Sequence, residues 1–319
     1  MQERIACCAL REGASVELSG PLAGKRIVIT REPGQGEGLR TQLAKMYGAE
    51  VIELPCVEFR EPEDTGQLDA AIRALRDFSW LLFTSQNAAH FFSRRCRAIG
   101  LDFMQLPKPR PCIAAIGPAT AEAASAEGFP VDFVPPAGTG RNFAGIFKGC
   151  VRSVAGLEVK DPVLNFVHGA AGMRILIPRS DVAVRDRGAA DWTEVLREAG
   201  ADVTEVVAYR TCMPESLAGP QLEEIRRKGA DCFVFASPSA FENFAKSLGI
   251  DDLRRLGASS AFAAIGPTTA AAIRTAEISC PIEAAAPNAE AVAAAISGYF
   301  GGRARTMNGS PHNEGVKHA

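Results

Sequence analysis

Short β-branched and aromatic runs alternate with helical patterns along most of the chain. Arg26-Ile27-Val28-Ile29-Thr30 is a run of the buried parallel-strand kind. The turn Arg31-Glu32-Pro33-Gly34 follows, and apolar positions at Leu39, Leu43 and Met46 predict a helix that Gly48 ends. Val51 to Phe59 is a long extended segment with Pro55 in its middle, which marks an exposed or edge connector. A helix around Leu68 to Leu75 comes next, then the strand Trp80-Leu81-Leu82-Phe83, the turn Thr84-Ser85-Gln86-Asn87, and a helix through Ala89, Phe92 and Cys96. Ala114-Ala115-Ile116-Gly117-Pro118-Ala119-Thr120 then reads as a buried strand, a tight turn and a helix N-terminus. From Val131 to Gly172 the pattern weakens, apart from a predicted helix over Phe143 to Phe147.

At Arg174-Ile175-Leu176-Ile177 the same order begins again. Gly200 to Thr211 repeats Gly48 to Arg60, Cys232 to Ser239 repeats Leu81 to Asn87, and Ala263-Ala264-Ile265-Gly266-Pro267-Thr268-Thr269 repeats the Gly-Pro stretch 149 residues on. Four elements recurring in one order imply a duplication. Alternating short strands and helices imply two doubly wound α/β domains with parallel sheets. A length of 319 residues suits two domains of about 150 residues each. Residues 1–24 read as a poorly ordered leader, and 301–319, rich in Gly, Asn, Ser and His, as a disordered tail.

Charge and cysteines narrow the class. A net charge of −2 gives no overall field toward nucleic acid or an anionic membrane, so an acidic ligand needs local positive groups. Nine scattered cysteines with no Cys-x-x-Cys read as reduced, mostly buried thiols, hence a cytoplasmic protein. Charged residues interrupt any apolar run before Gly24, and no 18-residue apolar span follows, so neither a secretory signal nor a membrane helix is expected.

The candidate chemistry lies at strand ends. The helix after each Gly-Pro turn presents unpaired N–H groups and the positive end of its dipole to an anion. Thr84, Ser85, Thr120, Ser237, Ser239, Thr268 and Thr269 all fall at C-terminal ends of predicted strands, where open α/β sheets bind ligands. Arg31, Arg179, Arg185 and Arg210 lie beside the same turns or on the second connector and can supply charge for a polycarboxylate. Gly34-Gln35-Gly36-Glu37-Gly38 mimics a dinucleotide fingerprint, but its third glycine position is Leu39, so an exposed turn is the better account. His90 and His168 have no carboxylate or nucleophile at a useful spacing. No Walker loop, zinc pattern, nucleophile elbow or catalytic carboxylate pair occurs.

Taken together, Phe83-Thr84-Ser85, the two Gly-Pro stretches, Val207-Ala208-Tyr209-Arg210-Thr211 and Phe235-Ala236-Ser237-Pro238-Ser239 resemble the uroporphyrinogen-III synthase family, over about Lys25 to Phe300. The resemblance implies two flavodoxin-like domains joined by a two-stranded connector, residues 53–59 and 204–211. One domain then takes 25–52 and 212–300, and the other takes 60–203. It further implies a cyclising hydro-lyase of haem biosynthesis that converts hydroxymethylbilane to uroporphyrinogen III with inversion of ring D through a spiro intermediate. No cofactor or metal is implied. The implied protein is a cytoplasmic monomer that can receive its substrate from hydroxymethylbilane synthase. Tyr209 matches the family's tyrosine and is the implied general acid. Ser85, Thr120, Arg185, Ser237, Thr268, Thr269, Arg31 and Arg179 are the implied substrate-binding positions.

The chain departs from the family pattern in three places. The turn after Pro178-Arg179 is longer, which leaves Arg185 and Arg187 as alternatives. Gln86 stands where other members often carry proline, and Gly149 to Gly172 reads as an insertion. Two readings from other classes compete: a two-lobed anion-binding protein without catalysis, and a nucleotide-dependent oxidoreductase resting on the glycine turn alone.

Overall fold

The structure is a computed structural model that describes residues 20–32, 34–135, 172–185 and 192–307. The helix expected over Phe143 to Phe147, nearly all of the 149–172 segment, His168 and Arg187 lie outside the described residues. The first copy supplies β1 (Arg26–Ile29), α1 (Glu37–Thr41, continued by the π-turn Gln42–Met46), β2 (Glu50–Glu53), β3 (Glu58–Arg60), α2 (Gly66–Arg73), β4 (Trp80–Phe83), α3 (Gln86–Ala98), β5 (Cys112–Ala115) and α4 (Pro118–Ala126). The second supplies β6 (Arg174–Ser180), α5 (Asp181–Arg185), α6 (Trp192–Glu198), β7 (Asp202–Cys212), α7 (Pro220–Lys228), β8 (Cys232–Phe235), α8 (Pro238–Leu248), α9 (Ile250–Ser259), β9 (Ala261–Ala264), α10 (Pro267–Thr275), β10 (Ile282–Glu283) and α11 (Ala289–Met307).

The chain folds into two compact units, one formed by the chain up to Glu58 and from Met213 onward, the other by Phe59–Cys212. The first unit holds a five-stranded sheet in the order β2-β1-β8-β9-β10, with every pair parallel. The second holds β3-β7-β6-β4-β5, with β7-β6, β6-β4 and β4-β5 parallel, and Phe133 bridging Ala114. In chain order the first follows the doubly wound 2-1-3-4-5 order of flavodoxin-like folds; the second is a circular permutation of it, with β6 and β7 in places 1 and 2, β4 and β5 in places 3 and 4, and β3 added outside β7. Each copy contributes its first two strands to one sheet and its remaining strands to the other, so each unit is assembled from halves of both copies.

Burial explains why the strands read as continuous apolar runs. In the second unit Leu81 and Phe83 face a core with Ala88, Phe91 and Phe92 of α3 and Phe129, while Trp80 and Leu82 face Ile175, Ile177 and Leu196 on the other side. A parallel sheet covered on both faces needs apolar residues at successive positions, not alternate ones. In the first unit Ile27, Ile29, Cys232 and Val234 line one face, and Phe233, Phe235, Phe244 and Phe262 stack on the other with ring centroids 5.2–5.6 Å apart. Phe235 is fully buried, so truncation to alanine is expected to cost about 3–5 kcal/mol.

Pro55 acts as the sequence suggested it would. Leu54 N–H and Cys56 N–H donate to Ile29 O and Thr30 O at 2.9 and 3.1 Å, while Pro55, lacking an N–H, falls between them on the outer edge. Residues 204–211, expected to form a two-stranded link with 53–59, lie within β7, which pairs with β6 from Asp202 to Tyr209 and has β3, at the end of the other connector, hydrogen-bonded on its outer side. No proline interrupts this β-branched run, so the sheet carries it further. Two terminal expectations are corrected. Leu22 is fully buried and its N–H donates to Tyr47 O at 2.8 Å, so the folded part begins before Lys25. The last helix runs on to Met307, past the boundary expected at Phe300 and through Gly301-Gly302.

Candidate functional site

In a 2-1-3-4-5 sheet the ligand crevice lies outside the C-terminal ends of strands 1 and 3, where the connections diverge to opposite faces. In the second unit these are β6 and β4. Ser85 follows β4 in extended backbone (φ −157°, ψ 160°) and caps α3, its Oγ accepting from Ala88 N–H at 3.1 Å. The same Oγ lies 3.2 Å from the Tyr209 hydroxyl, which reaches across from β7. Tyr209 is 8% exposed, its ring stacked on Phe91 (5.5 Å, 21°) and edge-on to Phe59 (5.6 Å, 83°). Burial raises the phenol's pKa above its usual 10.0, opposed by hydrogen bonding with Ser85 and Ser180 and by the charge of Arg179, so the group holds its proton at neutral pH.

The charge around this phenol is arranged by a buried carboxylate. Glu205 has a side chain only 2% exposed, and the guanidinium groups of Arg179 and Arg197 clasp it, Arg197 at 3.0 Å. Arg179 also lies 5.9 Å from the Trp192 ring centre. Its charge is therefore matched locally, and it reaches Tyr209 as a field and not as a contact. Arg210 points away to Glu63. Arg185 is the exposed last residue of α5. Thr120, third in α4, is buried at 6% exposure behind Gly117 and Pro118.

In the first unit the equivalent strands are β8 and β1. Ser237 repeats Ser85 closely, with φ −155°, ψ 158°, and Oγ accepting from Ala240 N–H at 3.1 Å. Thr269, the counterpart of Thr120, is 3% exposed, whereas Thr268 is exposed. Arg31 after β1 is partly buried and donates to Gln35 O at 3.3 Å; burial lowers its pKa without discharging it. The glycine turn 34–38 is exposed except at Gly36.

Of the residues expected from the sequence, the structure thus brings Ser85 and Tyr209 into contact with Arg179 nearby. Thr120 stands apart in the same unit, and Arg31, Ser237, Thr268 and Thr269 belong to the other. Ser180, Glu205 and Phe91 were missed. Ser180 ends a predicted strand as Ser85 does, and that signal was present. The buried state of Glu205 leaves no mark in a polar stretch such as Thr204-Glu205. His90 is a surface partner of Glu127, 2.7 Å away. Among the described residues no group of three or more His, Cys, Asp or Glu side chains is placed to hold a metal ion, and no helix is long and apolar enough to cross a membrane.

Two doubly wound units with serine-capped helix N-termini at their strand ends define a two-domain α/β protein. The family model described as uroporphyrinogen-III synthase HemD matches residues 39–294. A uroporphyrinogen-III synthase of Synechococcus elongatus is 32% identical over 253 residues, covering 78% of this chain and 85% of that protein. A putative uroporphyrinogen-III synthase of Methanothermobacter thermautotrophicus is 28% identical over 254 residues, covering 76% and 86%. A mutant uroporphyrinogen III synthase of Thermus thermophilus shares the fold, with a TM-score of 0.56 at 16% identity over 89% of this chain and all of that one. The chain belongs to the uroporphyrinogen-III synthase family, cyclising lyases of tetrapyrrole biosynthesis.

Proposed function

We propose that the protein closes hydroxymethylbilane to uroporphyrinogen III, inverting ring D, with Tyr209 as the acid that releases the hydroxyl. The observation that supports this role is a buried phenol held in its protonated form at the crevice end of β7, beside the Ser85 hydroxyl. The Tyr209 O–H bond breaks as its proton passes to the departing hydroxyl. The carbon–oxygen bond breaks with its electron pair, and water leaves behind an azafulvene cation. The substituted α-carbon of ring D attacks this cation to form the spiro intermediate. Fragmentation and reclosure at the other α-carbon release a proton that restores the phenol.

Electron-rich pyrroles expel the hydroxyl readily, so most of the protein's task is positioning: folding the chain so that spiro closure outruns direct cyclisation. Helix N-termini and hydroxyls at Ser85, Thr120, Ser237, Thr268 and Thr269, with Arg31, Arg179 and Arg185, would hold the carboxylates. Arg179 would do so while also paired with Glu205. A cytoplasmic monomer taking the unstable bilane from its synthase completes the reading. The test is to incubate the purified protein with hydroxymethylbilane and separate the oxidised porphyrin isomers. Isomer III above the enzyme-free control is expected; isomer I alone would refute the reading.

A further inference from the structure

We infer that Ser180 is a positioning residue that, with Ser85, holds the Tyr209 oxygen as an acceptor between two hydroxyl donors and turns the phenol's own proton toward the substrate. This rests on the proposed role of Tyr209 as the acid.

The first observation is a slip in strand register. Along β6 and β7 the pairing advances one residue at a time as far as Arg179 opposite Val207, and then Ser180 stands opposite Tyr209, skipping Ala208. Without this bulge Ser180 would face Ala208, and Tyr209 would face Asp181, whose carboxylate accepts from Thr211 N–H at 2.9 Å. Residues opposite one another in a sheet carry side chains on the same side, so the bulge puts a hydroxyl in the place opposite the phenol.

The second observation is hydrogen-bond bookkeeping. Ser180 Oγ accepts from Ala183 N–H at 3.1 Å, as Ser85 Oγ accepts from Ala88 N–H at 3.1 Å. Each serine therefore has an oxygen engaged by backbone and one proton left to give. Ser85 Oγ lies 3.2 Å from the Tyr209 oxygen, and Ser180 stands opposite Tyr209 across the ladder, so each has a proton to offer the phenol; both hydroxyls favour its anion. A phenol that accepts twice has its single hydrogen free for an outside acceptor. After that proton has left, the same two donors stabilise the phenolate without rearrangement. The charged groups that act on the phenol are Arg179 of β6, which favours the anion, and Asp181 of α5, which opposes it. The α3 helix adds Ser85 and the Phe91 ring, and β3 adds Phe59.

The test is the ultraviolet tyrosinate transition of Tyr209, isolated by subtracting the Tyr209→Phe protein and read by rapid alkaline pH jump on the full chain. Ser180→Ala should move the transition to higher pH, and Ser180→Thr should restore it. Turnover to isomer III should fall about fivefold in Ser180→Ala with KM unchanged, the loss of one hydrogen bond. Ser180→Cys, nearly isosteric and a weak donor, should show the same upward movement and serves if the alanine variant does not fold. A Tyr209 transition at the wild-type pH in both the alanine and cysteine variants would overturn the inference. The titration needs no substrate, so a failure of the proposed reaction and a failure of the clamp are told apart.

Discussion

The rim at Ser85 and the rim at Ser237 are two copies of one design, and the serine of the first lies against a phenol. Both serines have the same backbone angles to within a few degrees and the same 3.1 Å cap. The strand registers beside them agree as well, Ile29 opposite Glu53 in one unit and Ile177 opposite Glu205 in the other. Beyond those glutamates the copies part. β2 ends at Glu53, and Val57, the counterpart of Tyr209, is a buried apolar residue. In β7 no proline intervenes, the strand runs on to Cys212, and a phenol is delivered to the rim. Glu53 correspondingly stays exposed, while Glu205 is enclosed by two arginines. Duplication thus supplies two serine-capped rims, and the continuation of one strand brings a phenol to the first of them.

The largest way to break this comparison is Tyr209→Phe. Losing a general acid typically costs 10²- to 10⁴-fold, and the lower end or less is expected here because the pyrrole supplies most of the push. Isomer III formation should fall by that factor with a nearly unchanged melting curve; wild-type turnover would leave positioning as the whole of catalysis. The next effect separates the two Gly-Pro turns. Gly117 has φ 93° and ψ 160°, a region essentially closed to other residues, whereas Gly266 is extended at φ −177° and a Cβ there meets nothing within 4 Å. Gly117→Ala is expected to lose about 1–3 kcal/mol of stability and Gly266→Ala very little. Equal denaturant midpoints for the two variants would contradict the geometry.

Smaller still is the pair Ser85→Ala and Ser237→Ala. Each removes one helix cap, about 1 kcal/mol, so their melting temperatures should drop together. Turnover should suffer more in Ser85→Ala, which also strips a donor from Tyr209, though less than in Tyr209→Phe. A greater turnover loss in Ser237→Ala would reverse the assignment of the two rims. Smallest near neutrality is the response to alkali. Burial pushes the Cys96 thiol from 9.0 up to about 12, and raises Cys56 and Cys232 as well. Because the folded values are raised, the unfolded chain ionises first. This contribution to stability is whole below about pH 9 and is lost as the pH climbs toward the folded values. Melting temperatures should be flat from about pH 7 to 8.5 and fall above about pH 9; a flat profile to about pH 10.5 would mean that these thiols are not enclosed.

Strand and helix order was legible in the sequence because buried parallel strands are apolar at every position, and the repeat doubled each signal. Pro55 announced an edge for the same reason that it occupies one. The partition of 204–211 was less legible, since a β-branched run carries no mark of the sheet it will join. Helix α9 was not read at all, although Ile250, Leu253 and Leu256 fall at helical spacing. Hydroxyls at strand ends were legible as caps. Which of them would meet a phenol depended on a bulge between Arg179 and Ser180, and the bulge arises from the fit of two strands and not from either one alone.

The interleaving of the copies also sets the order in which a nascent chain can become structured. Phe59–Cys212 is continuous and complete once β7 has left the ribosome. β1 and β2 emerge earlier, yet β8, which pairs with β1, follows much later: Lys25 and its partner Asp231 are 206 residues apart, roughly 10–40 s of synthesis. Throughout that interval Ile27, Val28 and Ile29, all fully buried in the finished protein, belong to a two-strand fragment whose inner edge is open. This early strand is thus among the last to gain its partner.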